Sequence, residues 1–416
     1  MDKIKFSNIT KDFDGRVAIT EKKTDTYVKF GEYNSFPNDL IELYNNSSIH
    51  NTCVNAIVDG IVGEGLIGDP EWVTEHANSD GESWNNLFKK VAKDYKLYGG
   101  FALEVIWNKS RTKIAEVYHI DFSYLRAKEK NHRGQIPGYY ISDEWMDKYR
   151  YGGRAVDDLP YLPIYNPAKN EYEPSQVYVY RPYAPGQKYY PLPDYVGALR
   201  VIDLDTEVDN FHINNIKNGL APSLAITTFT NANEDEREAI ERMLQLQYAG
   251  TNNAGLMIYM DVDSPENAPV ITPIPQNGAD DYYTTMNDMV TQKILTAHRI
   301  TSPMILGIKT AGQLGGREEI IDAYLLLVNT VIRPFQQDIL SVFEELLEQK
   351  YPEQEISLGV QQLKLFSDGE EEVDVVTSID AEVGDDSALE AEIEKADEEA
   401  SIGPEPVEQI TELPLA

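Results

Sequence analysis

Cysteine is almost missing from this 416-residue chain, with Cys53 standing alone. An internal disulfide is therefore excluded, and so is a zinc site built on several thiolates. Long apolar runs are missing as well. No stretch reaches the roughly 18 residues needed to span a bilayer. The opening MDKIKFSNITKDFDG carries no apolar segment of the secretory type. Positive charge is scarce: Lys and Arg number 36 against 70 Asp and Glu, a formal net charge of −34. That argues against general adhesion to nucleic acid or to an anionic membrane. The expectation is a soluble protein made in a reducing cytoplasm, with two to three domains' worth of chain.

Aromatic residues are absent from 367–416, which hold 18 Asp or Glu and one Lys. Half of the excess charge thus sits in the last 50 residues. Such a segment buries too little apolar surface to offset its ordering entropy, so 367–416 reads as an acidic disordered tail.

What is present is patterned. Residues 1–36 are polar and weakly periodic and read as an extended arm, with regular structure expected from SFPNDLIELY onward. A second helix follows Ser48, where Ile49, Cys53, Ala56, Ile57 and Ile61 recur at helical spacing. A third begins near Ser83, with Trp84, Leu87, Phe88, Val91, Tyr95 and Tyr98 on one face, and Gly99-Gly100 stops it. FALEVIW and KIAEVYHI then read as strands. Residues 139–195 hold 13 of the 26 tyrosines in short strand-like pieces. Two readings fit them: an intersubunit surface, or packed β-structure with satisfied hydroxyls.

Helices are expected over 206–218, from Asn233 (with a capping-box spacing to Glu236) and over 280–300. GLMIYM reads as a strand and PVITPIP as an extended segment between the last two helices. TSPMILGIKTAGQLGG, with Pro303 and four glycines, reads as a mobile loop. A long apolar helix follows from Arg317 to about Lys350. Pro334 inside it removes a backbone hydrogen bond, which predicts a kink. Leu325 and Val328 are expected on its buried side. SLGVQQLKLF is a last strand candidate.

Chemical motifs are weak. GEGLIG at 63–68 lacks the preceding strand and following helix of a dinucleotide site, and reads as a helix-ending turn into a strand. GQLGGREE lacks the Lys-Ser/Thr ending of a phosphate loop. The six histidines form no close metal pair, and His119 with Asp121 is the nearest approach to one. Cys53 falls on an apolar face and reads as an inert buried thiol. No metal or cofactor is expected.

The order of elements from about 185 to 350 resembles the portal proteins of tailed bacteriophages. PGQKYYPLPDYVGALRVIDLDTEVDNFHINNIKNGLAPSLAI resembles the entry to the first stem helix and the clip. NEDEREAIERMLQLQYAGTNNAGLMIY resembles the clip helix with its turn and strand. QKILTAHRITSPMILGI resembles the end of the second stem helix and the entry to the tunnel loop. REEIIDAYLLLVNTVIRPFQQDIL resembles the long helix with an internal proline. YYPLPDY looks closest to portals of phages that infect Bacteroidota-type hosts.

The resemblance implies an α+β, portal-like chain with an N-terminal arm (1–36) and a wing (37–202). A stem helix (203–218), a small α/β clip (219–278) and a second stem helix (279–300) follow. A tunnel loop (301–316), the long kinked helix with wing or crown (317–366) and the acidic tail (367–416) complete it. It implies a homo-oligomeric ring, usually a 12-mer, in the virion at one capsid vertex, beside the major capsid protein. Such a ring passes double-stranded DNA and docks the terminase large subunit, then head-completion and tail connector proteins. It does no chemistry, since ATP hydrolysis belongs to the terminase. Lys309, Thr310 and Gln313 are implied to face the channel, or else to sit on an outward surface loop. Glu238 and Glu241 are implied to face the terminase, and Leu325 and Val328 to hold the long helix in the core or ring. Two other classes stay open: a metal-dependent hydrolase using Asp, Glu and His119, or a monomeric acidic adaptor.

Overall fold

A computed structural model describes residues 19–24, 26–143, 145, 159–169, 173–218, 224–228, 238, 240, 257–261, 279–307 and 317–363. The architecture is α+β. Regular structure begins earlier than expected, with a short antiparallel pair, β1 (Glu21–Lys23) and β2 (Val28–Phe30). Val28 and Phe30 are buried and Phe30 stacks on Tyr190 at 4.1 Å, so this part of the expected arm belongs to the body. The Glu21 carboxylate accepts from the backbone N–H groups of Lys188, Tyr189 and Tyr190, at 2.8, 2.7 and 2.9 Å, which fastens β1 to a distant loop.

Three helices follow: α1 (Phe36–Asn46), α2 (Ser48–Val62) and α3 (Trp84–Tyr98). Ser47 caps α2 by accepting from the His50 N–H, and Ser83 caps α3 by accepting from that of Asn86. Gly99 ends α3 in the left-handed conformation at φ 82°. A Cβ there would meet the Leu192 carbonyl oxygen at 2.1 Å, so the site requires glycine twice over. GEGLIG is the turn from α2 into β3 (Gly65–Asp69), as its flanks indicate.

Two three-stranded antiparallel sheets come next. In the first, β4 (Phe101–Trp107) lies between β5 (Ile114–Ile120) and β9 (Ser175–Tyr180). In the second, β7 (Gly138–Ile141) lies between β6 (Leu125–Ala127) and β8 (Tyr161–Pro163). The tyrosines of this stretch mostly face inward. Tyr139, Tyr189, Tyr190 and Tyr195 are buried, and the Tyr195 hydroxyl donates to the Leu97 carbonyl at 2.7 Å. Tyr183, 88% exposed, is the exception among the described residues. Packed β-structure accounts for most of the aromatic density there.

After Tyr195 come α4 (Leu199–Asn218), β10 (Leu224–Thr228), β11 (Met257–Asp261) and α5 (Ala279–Ala297). Strands β10 and β11 pair in parallel, and α4 packs on α5. The expected helix from Asn233 and the extended PVITPIP lie almost wholly outside the described residues. So does the acidic tail.

The long apolar helix is three pieces: α6 (Arg317–Leu327), a π-helical turn (Val328–Ile332) and α7 (Arg333–Lys350). The expected kink at Pro334 is this π turn. Proline cannot donate to the preceding turn and its ring crowds that carbonyl, and the wider turn relieves both. Pro334 then stands in the first turn of α7. The π turn lies against α2, where a Cβ on Gly60 would meet Ile332 at 2.4 Å. The Gln336 amide donates to the Ile61 carbonyl at 3.0 Å, satisfying the end of α2. Strand β12 (Ser357–Gln361) closes the body by pairing antiparallel with β3.

The core forms where α3 and α7 meet: Trp84 lies edge-on to Phe343 at 5.1 Å, and Tyr95 meets Phe335 at 4.4 Å. Among the described residues, Arg126 and Lys350 are enclosed without a carboxylate bonded to them. Arg126 donates to the Asn34, Ser123 and Leu125 carbonyls and to the Asn34 side chain. Lys350 donates to the Ala77 and Ala115 carbonyls, both at 2.9 Å, and burial pushes its amine down to about 8.

Candidate functional site at the root of the helix pair

Burial changes along α4 and α5 in opposite senses. On α4, Leu199, Ile202, Asp205 and Val208 are buried, while Asp209, Asn210, His212 and Ile213 are exposed. On α5, residues 287–289 are exposed, and Val290, Ile294 and Leu295 are buried. The first half of α4 and the last half of α5 are therefore the root of one antiparallel pair. The chain enters through Tyr195 and leaves through His298, whose rings lie 4.9 Å apart.

Polar groups from α2, α3, the 194–195 segment, α4 and the end of α5 close this root. His50 Nδ1 and His298 Nε2 share a hydrogen bond of 2.9 Å, and both residues are fully buried. The Tyr195 ring lies 4.7 Å from that of His50. The remaining ring nitrogens, His50 Nε2 and His298 Nδ1, are buried without a hydrogen-bond partner among the described residues. Burial, reinforced by the charges of Lys96 and Lys93, pushes His50 down to about 4. Burial pushes His298 further down in the same direction. Both imidazoles are thus neutral at neutral pH.

Beside them the Lys96 ammonium, wholly enclosed, donates to both oxygens of Asp194 at 2.7 and 2.9 Å. Burial lowers the lysine and Asp194 opposes that shift. Arg299 reaches the same carboxylate at 3.2 Å. Its backbone is left-handed, φ 59°, which turns the chain away from α5. On the α4 side, the Ser47 hydroxyl donates to Asp205 at 2.7 Å. This fastens the hairpin to α2, α3 and the 194–195 segment. Cys53, one turn from His50, is buried with its thiol pushed up to about 12, so it is an inert core group.

The other candidate residues fall apart from one another. Val328 is buried in the π turn, while Leu325, one turn earlier, is only half-buried. Glu238 is exposed and helical. Glu241, Lys309, Thr310 and Gln313 lie outside the described residues. The first part of the expected mobile loop has defined structure: Ser302 caps a 3-10 turn, Pro303–Leu306, and Gly307 ends it at φ 76°. His119 and Asp121 do not converge. His119 bonds Asp94 at 2.9 Å, and Asp121 accepts from the Ser123 N–H at 2.8 Å. Among the described residues no group of three His, Cys, Asp or Glu could hold a metal ion, and no helix is long and apolar enough to cross a membrane.

The root escaped the sequence reading because its partners are remote: His50 and His298 are 248 positions apart. The one local signal was Lys96, a charged residue within the apolar helical pattern of α3.

No protein family and no curated protein matches the sequence. Solved structures do match. One is a chain in the neck of an empty gene transfer agent (GTA) particle computed with C6 symmetry. It has a TM-score of 0.52 and 14% identity, over 89% of this chain and 91% of that chain. The neck of the native GTA particle, computed with C12 symmetry, gives a TM-score of 0.50 and 15% identity, over 88% and 90%. An HK97 family phage portal protein from Corynebacterium diphtheriae matches less well, at a TM-score of 0.40 and 11% identity over 76% and 93%. Over nearly its whole length, this chain has the fold of a chain in the neck of a GTA particle.

Proposed function

We propose that this chain is a portal protein, forming a ring at one vertex of a capsid around a channel for double-stranded DNA. The observation that carries the proposal is the shared fold with a GTA neck chain, 89% of this chain against 91% of that one. The resemblance of residues 185–350 to phage portals points the same way, including the kinship of YYPLPDY to portals from Bacteroidota-type phages. The C12 symmetry of the native GTA neck favours twelve copies.

In this reading 37–202 form the wing, α4 and α5 the stem, 219–278 the clip and 301–316 the tunnel loop. Lys309, Thr310 and Gln313 line the channel. Glu238 and Glu241 face the terminase large subunit, and the major capsid protein and the connector proteins dock elsewhere on the ring. Acidic composition suits the task. Each phosphate neutralised by Lys or Arg adds affinity, so a basic lumen would hold the DNA it must pass. One Lys309 per copy makes a sparse girdle that touches phosphates only in passing.

Mass photometry with negative-stain imaging tests the proposal. Twelve copies of a 47.0 kDa chain weigh about 0.56 MDa and should appear as rings. A protein that stays monomeric at micromolar concentration overturns the reading. Given rings, Lys309→Glu should leave assembly intact and change packaging efficiency or retention of packaged DNA. Charge reversal at Glu238 and Glu241 should weaken terminase docking alone.

A further inference from the structure

The helix pair uses only part of its surface within one copy. On α4, Leu204 lies on the opposite side from the buried Ile202 and is 37% exposed. Glu207, exposed, follows it on the same face, and Asp203 flanks it. An exposed Arg200 is the one cation nearby on this part of α4. A different face of the pair carries an open cleft of about 480 Å³ between α5 and the junction of α6 with the π turn. Leu295 and Ile300 form its floor, Leu326 (48% exposed) a wall, and Gln292 and Arg299 its edge. Lys293 stands exposed on the same helix, and no ion pair to it forms among the described residues. Asp288 is the exposed acid nearest to it on α5.

The ridge is acidic, and Lys293 offers it an exposed cation beside the cleft; the cleft's own cation, Arg299, is held by Asp194, and exposed Asp322 stands on α6 one turn before Leu326. Both surfaces lie near the root: Leu204 is five residues after the start of α4 and Leu295 two residues before the end of α5. Patches on different faces but at one height along a pair give head-to-tail contacts that close into a ring, whereas an offset would give a filament.

We infer that the Leu204–Glu207 ridge of one copy docks on the α5–α6 cleft of the next, with Glu207 meeting Lys293. This rests on the ring reading above and names the surfaces that would build the ring. Apolar contact by Leu204 and Leu326 supplies the core of the joint, and the charges set its direction.

Charge exchange tests it, because both chosen side chains are exposed and their replacement leaves the fold alone. Glu207→Lys and Lys293→Glu should each keep the wild-type melting temperature and lower the ring fraction by roughly tenfold or more, as like charges then face each other at every joint. The double variant, carrying both changes in one chain, should recover rings. So should an equal mixture of the two single variants, whose copies fit together only in alternation. If the wild type forms rings and both single variants form them equally well, the docking is wrong and the ring reading stands. If the single variants fail and neither the double variant nor the mixture recovers, the pairing is also wrong. A wild type that forms no ring overturns the ring reading, and the docking with it.

Discussion

Phe343 in α7 and Met289 in α5 are both large apolar residues on helices, yet the first is wholly enclosed and the second is 43% exposed. The body that holds Phe343 is complete in a single copy. Its helices α2 and α3 are capped, its strands paired, and its buried cations Arg126 and Lys350 surrounded by carbonyls. The helix pair that holds Met289 is complete only at its root. Beyond Val208, residues Asp209, Asn210, His212 and Ile213 are exposed, and before Val290 so are residues 287–289. Stability in one copy therefore resides in the body, and the outward faces of the pair answer to something else.

The sharpest test of that contrast is a buried charge. Val328→Asp places a carboxylate against α2 with no partner and should cost roughly 4 kcal/mol. The melting temperature should fall by about 5 °C in calorimetry, or the protein should not be recovered soluble. Leu325→Asp, at a half-buried position one turn earlier, should cost well under half as much. Equal losses would mean that α6 is as enclosed as the π turn.

Next in size is the root. Asp194→Asn leaves the Lys96 ammonium enclosed and uncompensated, which should cost about 3 kcal/mol in denaturant unfolding. Adding Lys96→Met to the same chain should recover most of that loss. A double variant no better than the single one would show that the pair does not act as a unit.

Acid should loosen the same place. His50 titrates at about 4 in the folded chain, against 6.5 when unfolded. Above 6.5 both states are neutral and pH has no effect through this group. Between 6.5 and about 4 the unfolded chain takes up a proton that the folded chain refuses. Stability should fall across that window by roughly 3 kcal/mol and level off below it. His298 shifts in the same direction and adds to the slope. Replacing both histidines with Leu should flatten unfolding free energy against pH between 6.5 and 4.

The smallest effect belongs to the open face. Met289→Ser should change the stability of a single copy by less than about 0.5 kcal/mol. A larger change under conditions that keep copies apart would mean that Met289 is packed within its own chain.

Much of the body was legible because its signals are local. Ser83, the apolar stripe from Trp84 to Tyr98 and Gly99 specify α3 within seventeen residues, and the helix has those bounds. Pro334 announced an irregularity, but not that a π turn would absorb it, since that depends on how Ile332 fits against Gly60. The β1–β2 pair was missed because each strand has only three residues and its one clear alternation, Val28 and Phe30, is two positions long. The root was illegible for a different reason. A hydrogen bond between His50 and His298 leaves no periodic trace in either segment. Of the residues expected to meet DNA or a motor, the sequence named types and places, while the contacts it assigned to them depend on other molecules.

Lys350 gives the body an internal gauge of its own motion. An amine that titrates near 8 exists partly as the free base at mildly alkaline pH, the form that attacks acylating reagents. Its nitrogen is nonetheless held between the carbonyls of Ala77 and Ala115, with 9% of the residue reachable by solvent. Modification must wait until the end of α7 parts from those two carbonyls. The rate at which this one lysine is acylated, set against the exposed lysines of the same chain, therefore measures how often the body opens.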